Sequence, residues 1–123
     1  MSRTALDLTP EERATYQVGR EWDEAELEAR WTQGWRVART AAQMLREKFG
    51  AKRVVLFGSL ASRACFTPWS DIDLAVWGIP GDQFYRAVAA VTGMAATHEV
   101  DLVDPESCRS GLRQTIELLG IDL

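Results

Sequence analysis

The feature that most constrains the fold is segment 71–77, in which two aspartates are interleaved with apolar residues. Successive side chains of a β-strand point to opposite faces of the sheet, so this alternation predicts a strand. One face is apolar and suits burial, and the other begins with two neighbouring carboxylates. The first face consists of Ile72, Leu74 and Val76, and the second of Asp71, Asp73, Ala75 and Trp77.

Two shorter apolar runs predict further strands. The run 53–57 ends at Gly58, which predicts a buried strand followed by a turn. The run 99–103 predicts a third strand that carries Asp101 on one face and apolar residues on the other. Glu99 falls on the same face as Asp101, because the two positions are two residues apart.

Helical patterns surround these strands. Apolar residues recur every three or four positions from 23 to 49 and Gly50 follows, which predicts one long amphipathic helix with a glycine stop. The tryptophans Trp22, Trp31 and Trp35 either pack this helix onto the sheet or form a docking face for a partner protein. Further helices are expected to begin at Thr9, to span 82–91, and to open at Asp104-Pro105-Glu106 with Leu112, Ile116 and Leu119 packed inward.

The order of these elements predicts the fold class. Helices come first, and strands then alternate with helices, which indicates an α/β domain with a small sheet covered by helices. The 123 residues fit a single domain over 1–123. Within it we expect a helical N-terminal part at about 9–49 and a strand-bearing core at about 53–123.

Composition argues against several classes of function. The net charge of −4, from 14 basic and 18 acidic residues, lacks the basic excess on which counterion release depends, so direct nucleic-acid binding is not expected. Cys65, Cys108 and the lone His98 form no cluster with zinc-ligand spacing, and no disulfide framework is expected. Without a signal peptide or an apolar run of the ~20 residues that span a bilayer, we expect a cytoplasmic protein that does not contact membranes.

A turn and an aspartate pair are the first candidates for chemistry. Glycine after a buried strand lets backbone amides approach a ligand, so Gly58 and Ser59 could hold phosphate oxygens, although such a pair more often forms only a turn. Asp71 and Asp73 would repel each other in a half-buried site unless a cation such as Mg²⁺ offset their charge. The alternative is that Asp71 caps a turn and Asp73 faces solvent.

A third carboxylate would extend this site. Asp101 could complete a two-metal centre, or accept a proton from an attacking hydroxyl group. It could equally be an exposed strand residue, and Glu99 is the competing candidate on the same face.

Segments 55–59 and 67–76 together resemble the polymerase-β-type nucleotidyltransferases, and are most similar to the minimal nucleotidyltransferases of bacteria. The shared pattern is Gly-Ser, a spacer of about ten residues, Asp-x-Asp, and a distant acidic residue in an apolar strand. The resemblance implies a small mixed β-sheet and transfer of a nucleoside monophosphate from ATP or another NTP to a hydroxyl group. It also implies site roles: Gly58 and Ser59 would bind phosphates, and Asp71, Asp73 and Asp101 would hold two Mg²⁺ ions.

The resemblance implies a partner as well. Several minimal members are antitoxins paired with HEPN-type ribonuclease toxins, and some add AMP to a tyrosine of the toxin, which implies a hetero-oligomer. Two departures concern the turn: the spacer 60–70 is one residue longer than usual, and no arginine follows Ser59 directly. Arg63 is the candidate to supply that charge to the triphosphate. The alternatives are an antitoxin that neutralises its partner by occlusion without catalysis, and a transferase acting on small molecules such as aminoglycosides.

Overall fold

The computed structural model describes residues 23–95 and 97–123. The helix expected to begin at Thr9, and Trp22, lie outside these residues. The elements are α1 (Glu24–Phe49), β1 (Arg53–Phe57), two short 3₁₀ helices (Ser59–Ala61 and Arg63–Cys65), β2 (Ile72–Trp77), α2 (Gly81–Thr92), β3 (Val100–Val103), α3 (Ser110–Leu119) and β4 (Ile121–Asp122). The described helices do not include one with the length and apolar character needed to cross a membrane.

The four strands form one mixed sheet in the order β3-β2-β1-β4. Strand β1 runs antiparallel to β2 and β4, and β2 runs parallel to β3. The end of β1 and the starts of β2 and β3 therefore meet at one edge of the sheet. The α/β class with a small mixed sheet covered by helices is confirmed.

Helix α1 has the boundaries that its sequence predicts. Asp23 begins it, because its side-chain oxygen accepts a hydrogen bond from the Ala25 amide at 3.0 Å. Gly50 ends it in the left-handed conformation, at φ 72°. Trp31 and Trp35 are partly buried and pack against the main core, as the packing interpretation of these tryptophans expects.

The two faces of the sheet are covered unequally. The main core lies between one face and the helices α1 and α2, and it contains Val54, Leu56, Ile72, Leu74, Val76 and Val100. On the other face, α3 contributes a single buried side chain, Ile116, to a small cluster with Val55, Phe57 and Ala75. This second face also carries Asp73 and Asp101, by strand alternation, and its thin cover leaves room for a site.

The last helix begins later than predicted. The segment Asp104-Pro105-Glu106 forms a turn instead, because the Asp104 carboxylate accepts hydrogen bonds from the Glu106 amide at 3.0 Å and from the Ser107 hydroxyl at 3.1 Å. Helix α3 starts only at Ser110.

The packing predicted for that helix is also wrong in part. Ile116 is buried, but Leu112 is 36% exposed and Leu119 is 71% exposed. The chain turns at Gly120 into β4, which pairs with Val55 and Leu56 of β1. Helix α3 therefore touches the sheet along a narrow strip, and its remaining leucines face outward.

Candidate active site

The candidate site lies at the sheet edge where β1 ends and β2 and β3 begin. In the strand register, Phe57 lies opposite Asp73, and Asp73 lies opposite Asp101. Gly58 follows β1 directly, and Asp71 precedes β2 directly. The topology thus brings together the turn and the three aspartates, although Gly58 and Asp101 are 43 positions apart in the sequence.

Gly58 allows the turn and the carboxylates to approach each other closely. Its backbone adopts φ 78° and ψ −161°, a conformation that residues with a side chain rarely adopt. A Cβ atom built at this position would clash with Oδ2 of Asp73. Glycine is therefore required at this position for two reasons: the backbone angles disfavour any side chain, and the Asp73 carboxylate occupies the space that a Cβ atom would need.

The spacer after Ser59 is folded against α1. Leu60 is fully buried and lies beneath Gly34, where an added Cβ would approach Leu60 Cδ1 to 3.0 Å. The position that holds arginine in many similar sequences is thus part of the core here. Arg63 contacts α1 and its own loop: its Nε is 3.5 Å from Oε2 of Glu28, and its guanidinium lies 6.0 Å from the centre of the Phe66 ring. It forms no ion pair with an aspartate of the described residues, and its role at the triphosphate stays a prediction.

The spacer ends in a turn over residues 67–70, and the hydrogen bonds of this turn do not involve the Asp71 side chain. The Thr67 amide donates to the Ser70 hydroxyl at 2.8 Å, and the Ser70 amide donates to the Thr67 carbonyl at 3.0 Å. Ser70 closes this turn, so the alternative that Asp71 serves as its cap does not apply. Asp71 is exposed at the mouth of the site.

Asp73 is electrostatically strained. It is half-buried and accepts no hydrogen bond from a side chain or amide of the described residues. The pKa of Asp73 is raised from 3.8 to about 6, mainly by burial and also by the negative charges of Asp101 and Asp71. The charges of Asp71 and Asp101 therefore disfavour the ionised form of Asp73, and a positive charge among them would offset this repulsion.

The strand register distinguishes the two candidates for the third carboxylate. Asp101 is the direct neighbour of Asp73 on β3. Glu99 precedes that strand, and its carbonyl accepts a hydrogen bond from the Ile72 amide at 2.8 Å. Its exposed side chain lines a cleft beside Asp71. Asp101 is therefore the better placed partner for Asp73.

That cleft has a volume of about 440 Å³. It is bounded by α1, by the end of α2, and by the segments that precede β2 and β3. His98 forms part of its wall and is only 6% exposed, with its Nδ1 atom 2.9 Å from Oγ1 of Thr97. Burial lowers the pKa of His98, and the charge of Arg30 lowers it further. The lining consists of Arg30, Pro68, Trp69, Ser70, Asp71, Thr92, Ala95, Thr97, His98 and Glu99.

Comparison with known proteins agrees with this geometry. The sequence model of the nucleotidyltransferase domain matches residues 38–118, well over half of the chain, and this range includes the turn and all three aspartates. The chain belongs to the nucleotidyltransferase domain family. A search among curated proteins found no match.

The acidic side chains of this nucleotidyltransferase domain suit a hard divalent cation. Mg²⁺ prefers carboxylate oxygens, usually takes one or two of them, and keeps other positions for water and substrate phosphates. Within the described ranges, no three acidic, histidine or cysteine side chains converge tightly enough to hold a metal ion in this conformation. The fit therefore rests on the chemistry of the donor set and on the raised pKa of Asp73.

Sequence reasoning missed the cleft and its cationic residue, Arg30. The residue lies among many other charged positions of α1 and has no pattern of its own. Gly34, one helical turn after Arg30, is the residue that could have indicated this region, since a glycine within a helix often marks a place where another segment packs closely against the helix. Here the approach is to Leu60 and to His98, whose Nε2 atom would lie 3.6 Å from an added Cβ.

Proposed function

We propose that this nucleotidyltransferase domain transfers AMP from ATP to a hydroxyl group of a partner protein, with Mg²⁺ as cofactor. The observation that carries the proposal is the meeting of the Gly58 turn with three aspartates at one sheet edge, where Asp71 and Asp101 both repel the ionised Asp73. Mg²⁺ would be held by Asp71, Asp73 and Asp101. When bound, it would neutralise the negative charge that develops on the phosphate oxygens.

The chain's own residues have defined parts in this reaction. The amides and the hydroxyl of Gly58 and Ser59 hold the β- and γ-phosphates. The acceptor oxygen attacks the α-phosphorus, a new oxygen–phosphorus bond forms, and the bond to the β-phosphate oxygen breaks to release pyrophosphate. The proton of the acceptor hydroxyl passes to a carboxylate, for which Asp101 is the candidate, and then to solvent.

The partner proposed is a HEPN-type ribonuclease toxin that this chain neutralises in the cytoplasm. The proposal rests on the resemblance to minimal nucleotidyltransferases. Two adjacent exposed leucines on α3 support a protein partner: Leu118 is 81% exposed and Leu119 is 71% exposed. Contiguous exposed apolar surface is typical of a region that another protein covers.

The test uses ATP labelled on the α-phosphate, Mg²⁺, and a purified HEPN-type protein encoded beside this chain. We expect label on the partner, release of pyrophosphate, and loss of both with Asp71→Asn or Asp73→Asn. The control is Glu106→Gln, which alters an exposed carboxylate in the turn after β3. If none of the four NTPs labels a partner that still binds the chain, the catalytic proposal is wrong.

A second candidate is neutralisation by occlusion without catalysis. The observation that favours it is that Arg63, the candidate cation for the triphosphate, is paired with Glu28, and that Leu60, at the position where many similar sequences have arginine, is buried. Growth rescue in cells separates the two candidates. The catalytic proposal expects the double variant Asp71→Asn, Asp73→Asn to lose neutralisation, and the occlusion proposal expects it to be retained.

A further inference from the structure

The cleft beside Asp71 has a defined position along the sheet edge. Because β2 lies between β1 and β3, the Gly58 turn is on one side of Asp71, and the segment 97–99 with its cleft is on the other. The cleft volume of about 440 Å³ suits one inserted side chain or a small ring, and is too small for a folded surface.

The geometry of nucleotidyl transfer relates the position of this cleft to the path of the acceptor. In an in-line displacement, the attacking oxygen and the leaving pyrophosphate lie on opposite sides of the α-phosphorus. If the Gly58–Ser59 turn holds the phosphates that leave, the acceptor lies on the side of the α-phosphorus away from this turn. Along the sheet edge, the cleft lies on the far side of Asp71 from this turn, and Asp71 is part of its wall.

The lining of the cleft has unused hydrogen-bonding capacity. Arg30 makes one long hydrogen bond, from Nη2 to the Thr97 carbonyl at 3.4 Å, and its Nε has no acceptor among the described residues. A guanidinium has five N–H donors, so donors on its Nη atoms remain for an oxygen of a ligand. Trp69, 56% exposed, adds an aromatic wall beside it.

We propose that this cleft is the acceptor subsite of the transferase, an inference that rests on the function proposed above. A hydroxyl-bearing side chain of the partner enters it with its apolar part against Trp69, and Arg30 donates to a backbone carbonyl of the same partner segment. A carbonyl fits better than a carboxylate, because Asp71 and Glu99 line the same cleft and repel anions. Arg30 and Trp69 are then specificity-determining residues for the acceptor.

The test measures KM for the partner protein and KM for ATP separately, in Arg30→Gln, in Trp69→Ala, and in the matched control Arg36→Gln. Arg36 is exposed on the same helix and does not line this cleft. We expect each cleft variant to raise KM for the partner about tenfold, with KM for ATP within about twofold of the wild type. The control is expected to change neither constant.

Two other outcomes are distinguishable. If the cleft variants raise KM for ATP and leave KM for the partner unchanged, the cleft holds the nucleoside and the acceptor assignment is overturned. If the wild type transfers no label, the proposed function itself fails, and the acceptor assignment fails with it. Trp69→Ala alters a largely exposed side chain and is therefore expected to fold. It still tests the proposal if Arg30→Gln does not fold.

Discussion

Replacing Asp73 by asparagine is expected to stabilise the protein when Mg²⁺ is absent. The side chain keeps its shape and loses its charge, so the repulsion from Asp71 and Asp101 disappears together with the cost of burying a carboxylate. A substitution that removes a residue proposed to be essential for transfer would therefore strengthen the fold. Residues held at functional sites often carry such a cost.

The magnitude follows from the pKa of Asp73, which rises from 3.8 to about 6 on folding. Each pH unit of such a difference corresponds to about 1.36 kcal/mol, so the ionised carboxylate costs about 3 kcal/mol before solvent is considered. The side chain is only half-buried, and solvent screening reduces this cost to about 1–2 kcal/mol. Because a raised carboxyl pKa favours the folded state only while the group is protonated, wild-type stability is lost as the pH rises from 3.8 through about 6.

Urea unfolding of the wild type and of Asp73→Asn, in EDTA and at intervals from pH 4 to pH 9, measures the effect. The advantage of the variant should grow as the pH rises from about 4 to 6 and should be constant above pH 7. Added Mg²⁺ should raise the stability of the wild type more than that of the variant, since a ligand stabilises the state that binds it. A variant that is less stable at pH 8, or an advantage independent of pH, would refute the reasoning.

Three further substitutions test other parts of the structure. Gly58→Ala should destabilise the fold by about 1–3 kcal/mol, because the backbone at φ 78° disfavours a side chain and the new Cβ would clash with Asp73. Urea unfolding measures this effect, and an unchanged midpoint of the unfolding transition contradicts the turn geometry. Burial lowers the pKa of His98, so the wild type should lose stability as the pH falls below 6.5. His98→Gln should reduce this loss when the free energy of unfolding is measured against pH. The same loss in the variant argues against a buried imidazole at this position. Arg53→Gln should cost about 0.5–1.5 kcal/mol by removing the 2.8 Å ion pair with Asp122 and the stacking on Trp77, and the ion-pair part should shrink in 1 M NaCl.

The carboxylate-bearing strand could be predicted almost completely. Its period-two alternation is a local pattern, and the observed β2 begins one residue after the predicted start. The long helix was equally accessible, because its apolar spacing, Asp23 and Gly50 are all local signals. Strand β4 could not be predicted: it has two residues and exists only because β1 offers it an edge.

Part of the candidate site could likewise be predicted from the sequence, and part could not. The composite of Gly58-Ser59 with Asp71 and Asp73 was visible in the sequence, since these residues lie within one short segment. The direction of the Arg63 side chain was not, because Glu28 on α1 decides it from thirty-five residues away. The cleft lined by Arg30 was invisible for the same reason.

The sequence alone determined that this chain has a strand with paired carboxylates, a glycine turn before it and helices around it, because periodicity and turn chemistry act over a few neighbouring residues. Only the tertiary structure decided that Asp101, rather than Glu99, lies opposite Asp73, and that the Gly58 turn and the Arg30 cleft flank Asp71. These relations depend on strand order and register, which are set by pairing and burial between distant segments. Asp71 and Asp73 thus become the centre of the candidate site only because β2 lies between β1 and β3.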